Sequence, residues 1–116
     1  MNQIKVHNGI RNRPERYETW PITLKSHDEI RVKLWRRGKS VTKFSVVYIR
    51  KLKGRWIVIR RYDNSHQQQS HCHVYGYHRG QIDIREVPGE PGVIFTESIN
   101  KIKKSRKELT EFYFRN

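Results

Sequence analysis

The chain has 116 residues, with 25 Lys and Arg against 11 Asp and Glu, and therefore a formal net charge of +14 at pH 7. This length supports one modest hydrophobic core and excludes two independent domains. No apolar run approaches the roughly 18 residues of a membrane-spanning helix, which excludes an integral helical membrane protein. A positive charge of this size attracts polyanions, so nucleic acid or an acidic protein is the expected partner.

The first 17 residues mix Asn, Arg, Gly and Pro with few apolar side chains. They predict an N-terminal arm (1–17) that contributes at most a short strand. The arm lacks the apolar stretch of a signal peptide. Cys72 is the single cysteine, so an internal disulfide is impossible, which is compatible with a reducing compartment. These features predict a cytoplasmic protein that does not associate with membranes.

From residue 19 to residue 87, apolar and polar residues alternate with a period of two, which predicts β-strands with one covered face. The predicted strands are TWPITLKS (19–26), EIRVKLWRR (29–37), SVTKFSVVYIRKL (40–52), RWIVIRRYD (55–63), HCHVYGY (71–77) and QIDIREV (81–87). Gly54 and Gly80 can supply the positive φ of tight turns between strands. The apolar runs of the third and fourth segments predict central strands, with Trp56 in the core.

After PGEPG (88–92) the apolar period changes to three or four, which predicts one amphipathic helix of about 18 residues with Thr96 as its N-cap. Its apolar stripe is formed by Phe95, Ile99, Ile102, Leu109 and Tyr113, interrupted by Arg106. The expected fold is a single α+β domain (1–116). An antiparallel sheet of five or six strands (18–90) carries one C-terminal helix (91–116) on one face. The other face is the expected location of function.

Four of the six histidines fall between residues 66 and 78, and three interpretations compete: a metal site, an acid–base pair, or a histidine-rich polar hairpin. His71 and His73 would project from the same strand face, and His66 from the loop would complete three nitrogen ligands for zinc. The spacing H-x4-H-x-H without a second cluster is a weak metal signal, and Cys72 would point to the opposite face. His78 is predicted to mark a turn.

The acid–base interpretation requires a base for the 2′-hydroxyl of RNA, an acid for the leaving 5′-oxygen, and cations for the phosphorane. His66, His71 and His73 are the candidates for proton transfer, because histidine serves in either role near neutral pH. Asp63 is the candidate for orienting a histidine, and Tyr75 would share their face. Arg60 and Arg61 are candidate phosphate clamps. Alternatively, Asp63 and Asn64 form an ordinary turn.

Two further features suggest contact with nucleic acid. Trp35 alternates with cations and is a candidate for stacking on a base, or it lies half-buried under the N-terminal arm. The densest positive run lies on the predicted helix: Lys101, Lys103, Lys104 and Lys107. These lysines would form an RNA-backbone track or a docking surface for an acidic partner, or they are a solvated helix face.

The segment IVIRRYDNSHQQQSHCHVYG (57–76) resembles the TumE-like toxins of prokaryotic toxin–antitoxin modules. In that family a strand ending in R-[YW]-D-N precedes a short loop with one or two histidines, an H-x-H pair and a closing helix. The match is carried by Arg61, Tyr62, Asp63, Asn64, His66, His71 and His73. The resemblance implies a toxin that acts on RNA and pairs with a separately encoded antitoxin.

The sequence therefore predicts a metal-independent endoribonuclease without cofactors, whose partners are RNA and an antitoxin. The alternative is a non-enzymatic, basic nucleic-acid-binding or regulatory module, for which the histidines are incidental. A homo-oligomer is compatible with either.

Overall fold

The computed structural model describes residues 13–25, 27–66 and 69–116, with the side chains of Ser65 and His66 left out. It contains six antiparallel strands followed by one helix, so the predicted α+β fold is confirmed. The strands are β1 (Arg16–Lys25), β2 (Asp28–Arg37), β3 (Ser40–Leu52), β4 (Arg55–His66), β5 (Gln69–Gly76) and β6 (Gly80–Val87), and the helix is α1 (Pro91–Arg115). Each strand pairs with the next along the chain, giving the sheet order β1-β2-β3-β4-β5-β6.

The turns have the conformations that their glycines permit. Gly54 and Gly80 have φ values of 80° and 71°, a region in which a side chain is unfavourable. Lys53 precedes Gly54 and also has a positive φ, of 51°, as the first central residue of a two-residue hairpin turn requires. Both predicted turns are confirmed, and their position fixes the register of β3 on β4 and of β5 on β6.

Helix α1 is longer than the sequence predicts. It has 25 residues and begins at Pro91, because proline has no N–H to leave unpaired in a first turn and its fixed φ suits that position. The prediction of Thr96 as N-cap is wrong: Thr96 lies within the helix and donates its hydroxyl to the Gly92 carbonyl at 3.2 Å. No helix in the described part of the chain is long and apolar enough to span a membrane.

Helix α1 packs across β3, β4 and β5 on one side of the sheet, here called the helix side, and leaves the open face on the other. The buried residues of α1 are Ile94, Ser98, Ile102, Leu109 and Tyr113, while Phe95 and Ile99 are partly buried. The strand residues of the core whose exposure is 0% are Ile30, Val32, Phe44, Val46, Tyr48 and Val74. The predicted apolar stripe is thus the core-facing surface of the helix.

The residue that interrupts the stripe, Arg106, forms an ion pair with Asp28 at the start of β2. Asp28 is only 2% exposed and also accepts a hydrogen bond from the Tyr48 hydroxyl at 2.6 Å. Arg50 approaches the same carboxylate at 3.8 Å. A charge in the apolar stripe is therefore matched by a buried charge of opposite sign, which connects the helix to β2 and β3.

A β-bulge at Ile59 changes the phase of strand β4. Tyr48 pairs with Arg60 and Ile49 with Val58, so Ile59 has no partner of its own on β3. An extra residue reverses which side chains face each side of the sheet. Trp56 consequently lies on the open face with 40% of its surface exposed, and the prediction that it belongs to the core is wrong.

Candidate functional site

Five of the predicted site residues lie together on the open face, where β4 and β5 pair. Arg61 is opposite His73, and Asp63 is opposite His71. Because side chains alternate between faces along a strand, Tyr75 shares the face of the two histidines. We call these five residues, Arg61, Asp63, His71, His73 and Tyr75, the histidine cluster. The side chain of His66, also predicted here, lies outside the described part of the chain.

His73 is held on both sides of its ring. Its Nε2 lies 3.4 Å from Asp63 Oδ2, and its Nδ1 lies 2.9 Å from Gln81 Oε1 on β6. Both contacts are oxygen atoms, so each ring nitrogen faces an atom that can accept a hydrogen bond. The His73 and Asp63 side chains are only 14% and 12% exposed, so the contact between them is partly shielded from water.

Asp63 also contacts Arg61, whose Nε lies 3.2 Å from the same Oδ2 atom. Asp63 therefore lies between the Arg61 guanidinium and the His73 ring. Arg61 has five N–H donors and a side chain that is 38% exposed, so donors remain for an anion on the open face. Burial raises the pKa of Tyr75, against the opposing effect of Arg61, so the phenol stays protonated at neutral pH and can donate a hydrogen bond.

The other predicted phosphate clamp, Arg60, is separated from the cluster by the sheet. It lies on the helix side, where it is 7% exposed, with its guanidinium carbon 5.7 Å from the centre of the Phe112 ring. The four predicted lysines, Lys101, Lys103, Lys104 and Lys107, are exposed on α1, on this same side of the sheet. Neither Arg60 nor these lysines can contact a phosphate that is bound at the histidine cluster.

Two tryptophans, each with cationic side chains beside its ring, share the open face with the histidine cluster. Trp35 is half-buried, with the Tyr17 ring 4.7 Å from it and Lys43 Nζ 4.6 Å from its centre. Trp56 has Arg31 at 5.2 Å and Lys51 at 5.7 Å from its ring centre. Such interleaving of aromatic rings and cations is typical of surfaces that bind single-stranded RNA. Tyr17 lies in strand β1 opposite Trp35. Residues 1–12 of the predicted arm lie outside the described part of the chain, so burial of Trp35 under the arm stays a prediction.

Comparison with known families matches residues 12–116 to a family described as a domain of unknown function, DUF7718. The chain belongs to the DUF7718 family. No curated protein and no solved structure matches it. The DUF7718 domain includes all six strands and the helix, and so contains the whole histidine cluster.

Asn64 has a structural role in the DUF7718 domain. It is buried in β4, where the regular pairing with β3 ends at Asp63 and Ser45. Its Oδ1 accepts a hydrogen bond from the Phe44 N–H at 2.8 Å, and its Nδ2 donates to the Thr42 carbonyl at 3.3 Å. The side-chain amide thus replaces a main-chain partner. The alternative prediction, that Asp63 and Asn64 form a turn, is wrong, since both lie within strand β4.

We expect Asn64→Ala to lower the free energy of unfolding by about 1–3 kcal/mol, because it leaves a buried Phe44 N–H without a partner. Urea denaturation measures this change. Asn100→Ala is the control, because Asn100 is exposed on α1 and its loss should leave the midpoint nearly unchanged. Equal midpoints for the two variants would contradict the structural role of Asn64.

The described residues contain no group of three His, Cys, Asp or Glu side chains arranged to hold a metal ion. Gln81 is the residue of the site that sequence reasoning missed. Its contact with His73 depends on the register shift between β5 and β6 at Val74 and Tyr75, for which the sequence gives no signal.

Proposed function

We propose that this protein is an endoribonuclease toxin of a toxin–antitoxin module, which binds RNA on its open face and cleaves it without a metal ion. The observation that carries the proposal is His73, held between Asp63 and Gln81 beside His71 and Arg61. This is a pair of histidines with a carboxylate and a cation, on one partly exposed surface. Those are the groups that phosphodiester transfer needs.

In this mechanism His71 is the general base and His73 the general acid. His71 takes the proton of a 2′-hydroxyl, whose oxygen attacks the adjacent phosphorus. Arg61 stabilises the negative charge of the phosphorane. The bond from phosphorus to the 5′-oxygen then breaks, and His73 gives its proton to that oxygen. The products are a 2′,3′-cyclic phosphate and a free 5′-hydroxyl, so that no water or cofactor is consumed.

The assignment of acid and base follows from the contacts. His73 faces two oxygen atoms, Asp63 Oδ2 and Gln81 Oε1, which orient its ring as a hydrogen-bond donor. His71 is half-buried on the same face. A protonated histidine can donate at once, whereas a neutral histidine can accept.

The open face has the charge that RNA binding requires. Arg31, Lys33, Lys43 and Lys51 are exposed on β2 and β3, and the alternation of the strands places them on the face of the cluster. Asp63 on this face is already matched by Arg61. A surface with excess cations binds phosphates by counterion release, so binding should weaken steeply with salt.

The role of a toxin rests on the resemblance of residues 57–76 to TumE-like toxins, together with the charge of +14. A toxin that cleaves RNA acts in the cytoplasm and must be held inactive by its antitoxin. An acidic antitoxin and RNA would compete for the same basic open face.

We expect the purified protein to cleave single-stranded RNA in EDTA, and His71→Ala to lower the rate by roughly 10²–10³-fold, because the 2′-hydroxyl loses its base. Gel analysis of labelled RNA gives the rate. His78→Ala is the matched control, since His78 lies in the turn between β5 and β6, and it should cleave normally. Expression of the wild type should arrest bacterial growth, and expression of His71→Ala should not.

Unchanged cleavage by His71→Ala would contradict the role of base. Cleavage that stops in EDTA and returns with a divalent ion would replace the mechanism with a metal-dependent one. Salt-sensitive RNA binding without cleavage would favour the alternative, a nucleic-acid-binding module, for which the aromatic and cationic groups of the open face suffice.

A further inference from the structure

A cavity of about 330 Å³ lies on the helix side of the sheet, between β4, β5, β6 and the first half of α1. Its floor includes Arg60, Tyr62 and Cys72, and Ile94 and Ser98 of the helix lie above them. This volume is at the lower end of the range for small-molecule sites, about 300–1,000 Å³. The sheet separates the cavity from the histidine cluster, so the proposed RNA cleavage does not use it.

Arg60 is a buried cation without an anionic partner in the cavity. It is 93% buried, being 7% exposed, and its Nε has no hydrogen-bond partner within the described ranges. Its other polar side-chain contacts there are with uncharged groups: Nη1 lies 4.0 Å from Cys72 Sγ, and the Tyr62 phenol interacts with the same guanidinium. No carboxylate of the described residues forms an ion pair with it, in contrast to Arg106 with Asp28. A buried guanidinium without an anion is costly.

The rest of the lining combines charged, hydrogen-bonding and apolar side chains. Arg85 and Lys101 place two further cations at the cavity, and Glu86 and Glu97 place two carboxylates there. Arg85 is already paired with Asp83 at 2.8 Å, which leaves Arg60 as the buried cation that faces the cavity. Burial, together with Cys72, raises the pKa of Tyr62 to about 12 despite Arg60. Its phenol therefore remains a hydrogen-bond donor at neutral pH. The side chains of Val87 and Ile94 form an apolar part of the cavity wall.

We propose that this cavity binds a small organic oxyanion, a carboxylate or a phosphomonoester, whose head pairs with Arg60 and whose body contacts Val87 and Ile94. The guanidinium fork matches both kinds of head with two parallel hydrogen bonds. A water-sized ion would fill only about a tenth of the volume, since one water takes about 30 Å³. An RNA strand is too large to enter beneath the helix. The ligand is thus chemically distinct from the substrate proposed for the open face.

The test uses the full chain, with ¹⁵N and ¹³C labels, and follows the Arg60 Nε–Hε and Ile94 methyl resonances by NMR. The probes are benzoate, phenyl phosphate and neutral benzyl alcohol, which share a benzene ring. We expect saturable shifts with at least one of the two anions and none with the alcohol. Saturation by benzoate alone identifies a carboxylate site, and saturation by phenyl phosphate alone identifies a phosphomonoester site.

Variants show whether the cations are responsible. Lys101→Ala should weaken binding of the anion about two- to fivefold, as expected for loss of an exposed ion pair. Lys103→Ala is the matched control, because Lys103 is exposed on the same helix but does not line the cavity, and it should bind normally. Arg60→Lys keeps the positive charge but loses the planar guanidinium that forms two parallel hydrogen bonds. This variant should bind the anion at least tenfold more weakly.

Three results would overturn the proposal: no saturable shift with either anion, equal affinity for benzyl alcohol, or equal affinity of Lys101→Ala and Lys103→Ala. The amide spectrum of each variant reports whether it is folded. The comparison of Lys101→Ala with Lys103→Ala tests the proposal even if Arg60→Lys fails to fold, because both lysines are exposed.

Discussion

If the protein cleaves RNA as proposed, replacing His73 with alanine should lower the rate of the cleavage step by roughly 10²–10⁴-fold, the usual contribution of a positioned general acid or base. RNA affinity should change little, because the cations proposed to bind the RNA backbone lie on neighbouring strands and remain in place. Single-turnover cleavage of a labelled RNA in EDTA separates the two quantities.

Substitution of the residues that contact His73 should lower the cleavage rate in a defined order. Asp63→Asn retains the shape of the side chain but removes the charge that faces Nε2 at 3.4 Å, so the ring loses the carboxylate that orients it. Gln81→Ala removes only the neutral contact at Nδ1. We therefore expect the loss of rate to be largest for His73→Ala, smaller for Asp63→Asn and smallest for Gln81→Ala.

The combination of variants distinguishes a catalytic acid from a structural residue. If Asp63 acts through His73, the double variant should be little slower than His73→Ala alone, because residues that act as a unit are not additive. Multiplied effects would show that Asp63 has an independent role. Cleavage by His73→Ala at the wild-type rate would reject His73 as the acid, and a loss confined to RNA affinity would reduce it to a binding residue.

Local signals account for the parts of the fold that the sequence predicts correctly. The period of two, punctuated at Gly54 and Gly80, marks the strands, because side-chain alternation and positive φ are properties of a few adjacent residues. The sequence does not mark the start of the helix, because Pro91 belongs both to a run of turn residues and to a first helical turn. Proline is compatible with a turn and with the first turn of a helix, and the packing of Ile94 against the sheet selects the helix.

The histidine cluster was predictable only in part, for a related reason. His71, His73 and Tyr75 share a face in any regular strand, so their grouping follows from spacing. Arg60 and Arg61 are adjacent, and alternation permits only one of them on that face. Which one it is depends on the register with β5, where Arg61 is opposite His73. The bulge at Ile59 then places Trp56 on the open face as well, and the sequence pattern contains no sign of it.

The buried carboxylate of Asp28 provides the largest expected effect on stability. It accepts hydrogen bonds from Tyr48 and Arg106 and from the Lys25 N–H at 3.2 Å. Burial by itself raises the pKa of Asp28, but the hydrogen bonds from Tyr48 and Arg106 outweigh burial, and the pKa is lowered below its ordinary value. The folded state therefore stabilises the charged carboxylate.

Asp28→Asn should lower the free energy of unfolding by about 3 kcal/mol at neutral pH, near the lower end for a broken buried ion pair. The lower end applies because Arg106 keeps 25% of its side-chain surface exposed, so water partly compensates for the lost carboxylate. Urea denaturation at a series of pH values measures the difference between wild type and variant.

The difference should depend on pH in one direction only. Because the folded pKa of Asp28 is depressed, its contribution is fully present above the unfolded value of about 3.9. It is lost as pH falls through the folded pKa. The unfolding free energies of wild type and Asp28→Asn should thus differ by a constant amount from neutral pH down to about pH 5 and converge below about pH 4.

Asp83→Asn is the matched control. Arg85 also lowers the pKa of Asp83, but that pair is exposed, so its loss should leave the free energy of unfolding nearly unchanged. A gap that stays constant into strong acid would show that Asp28 acts through shape rather than charge, and equal losses for Asp28→Asn and Asp83→Asn would contradict the role of burial.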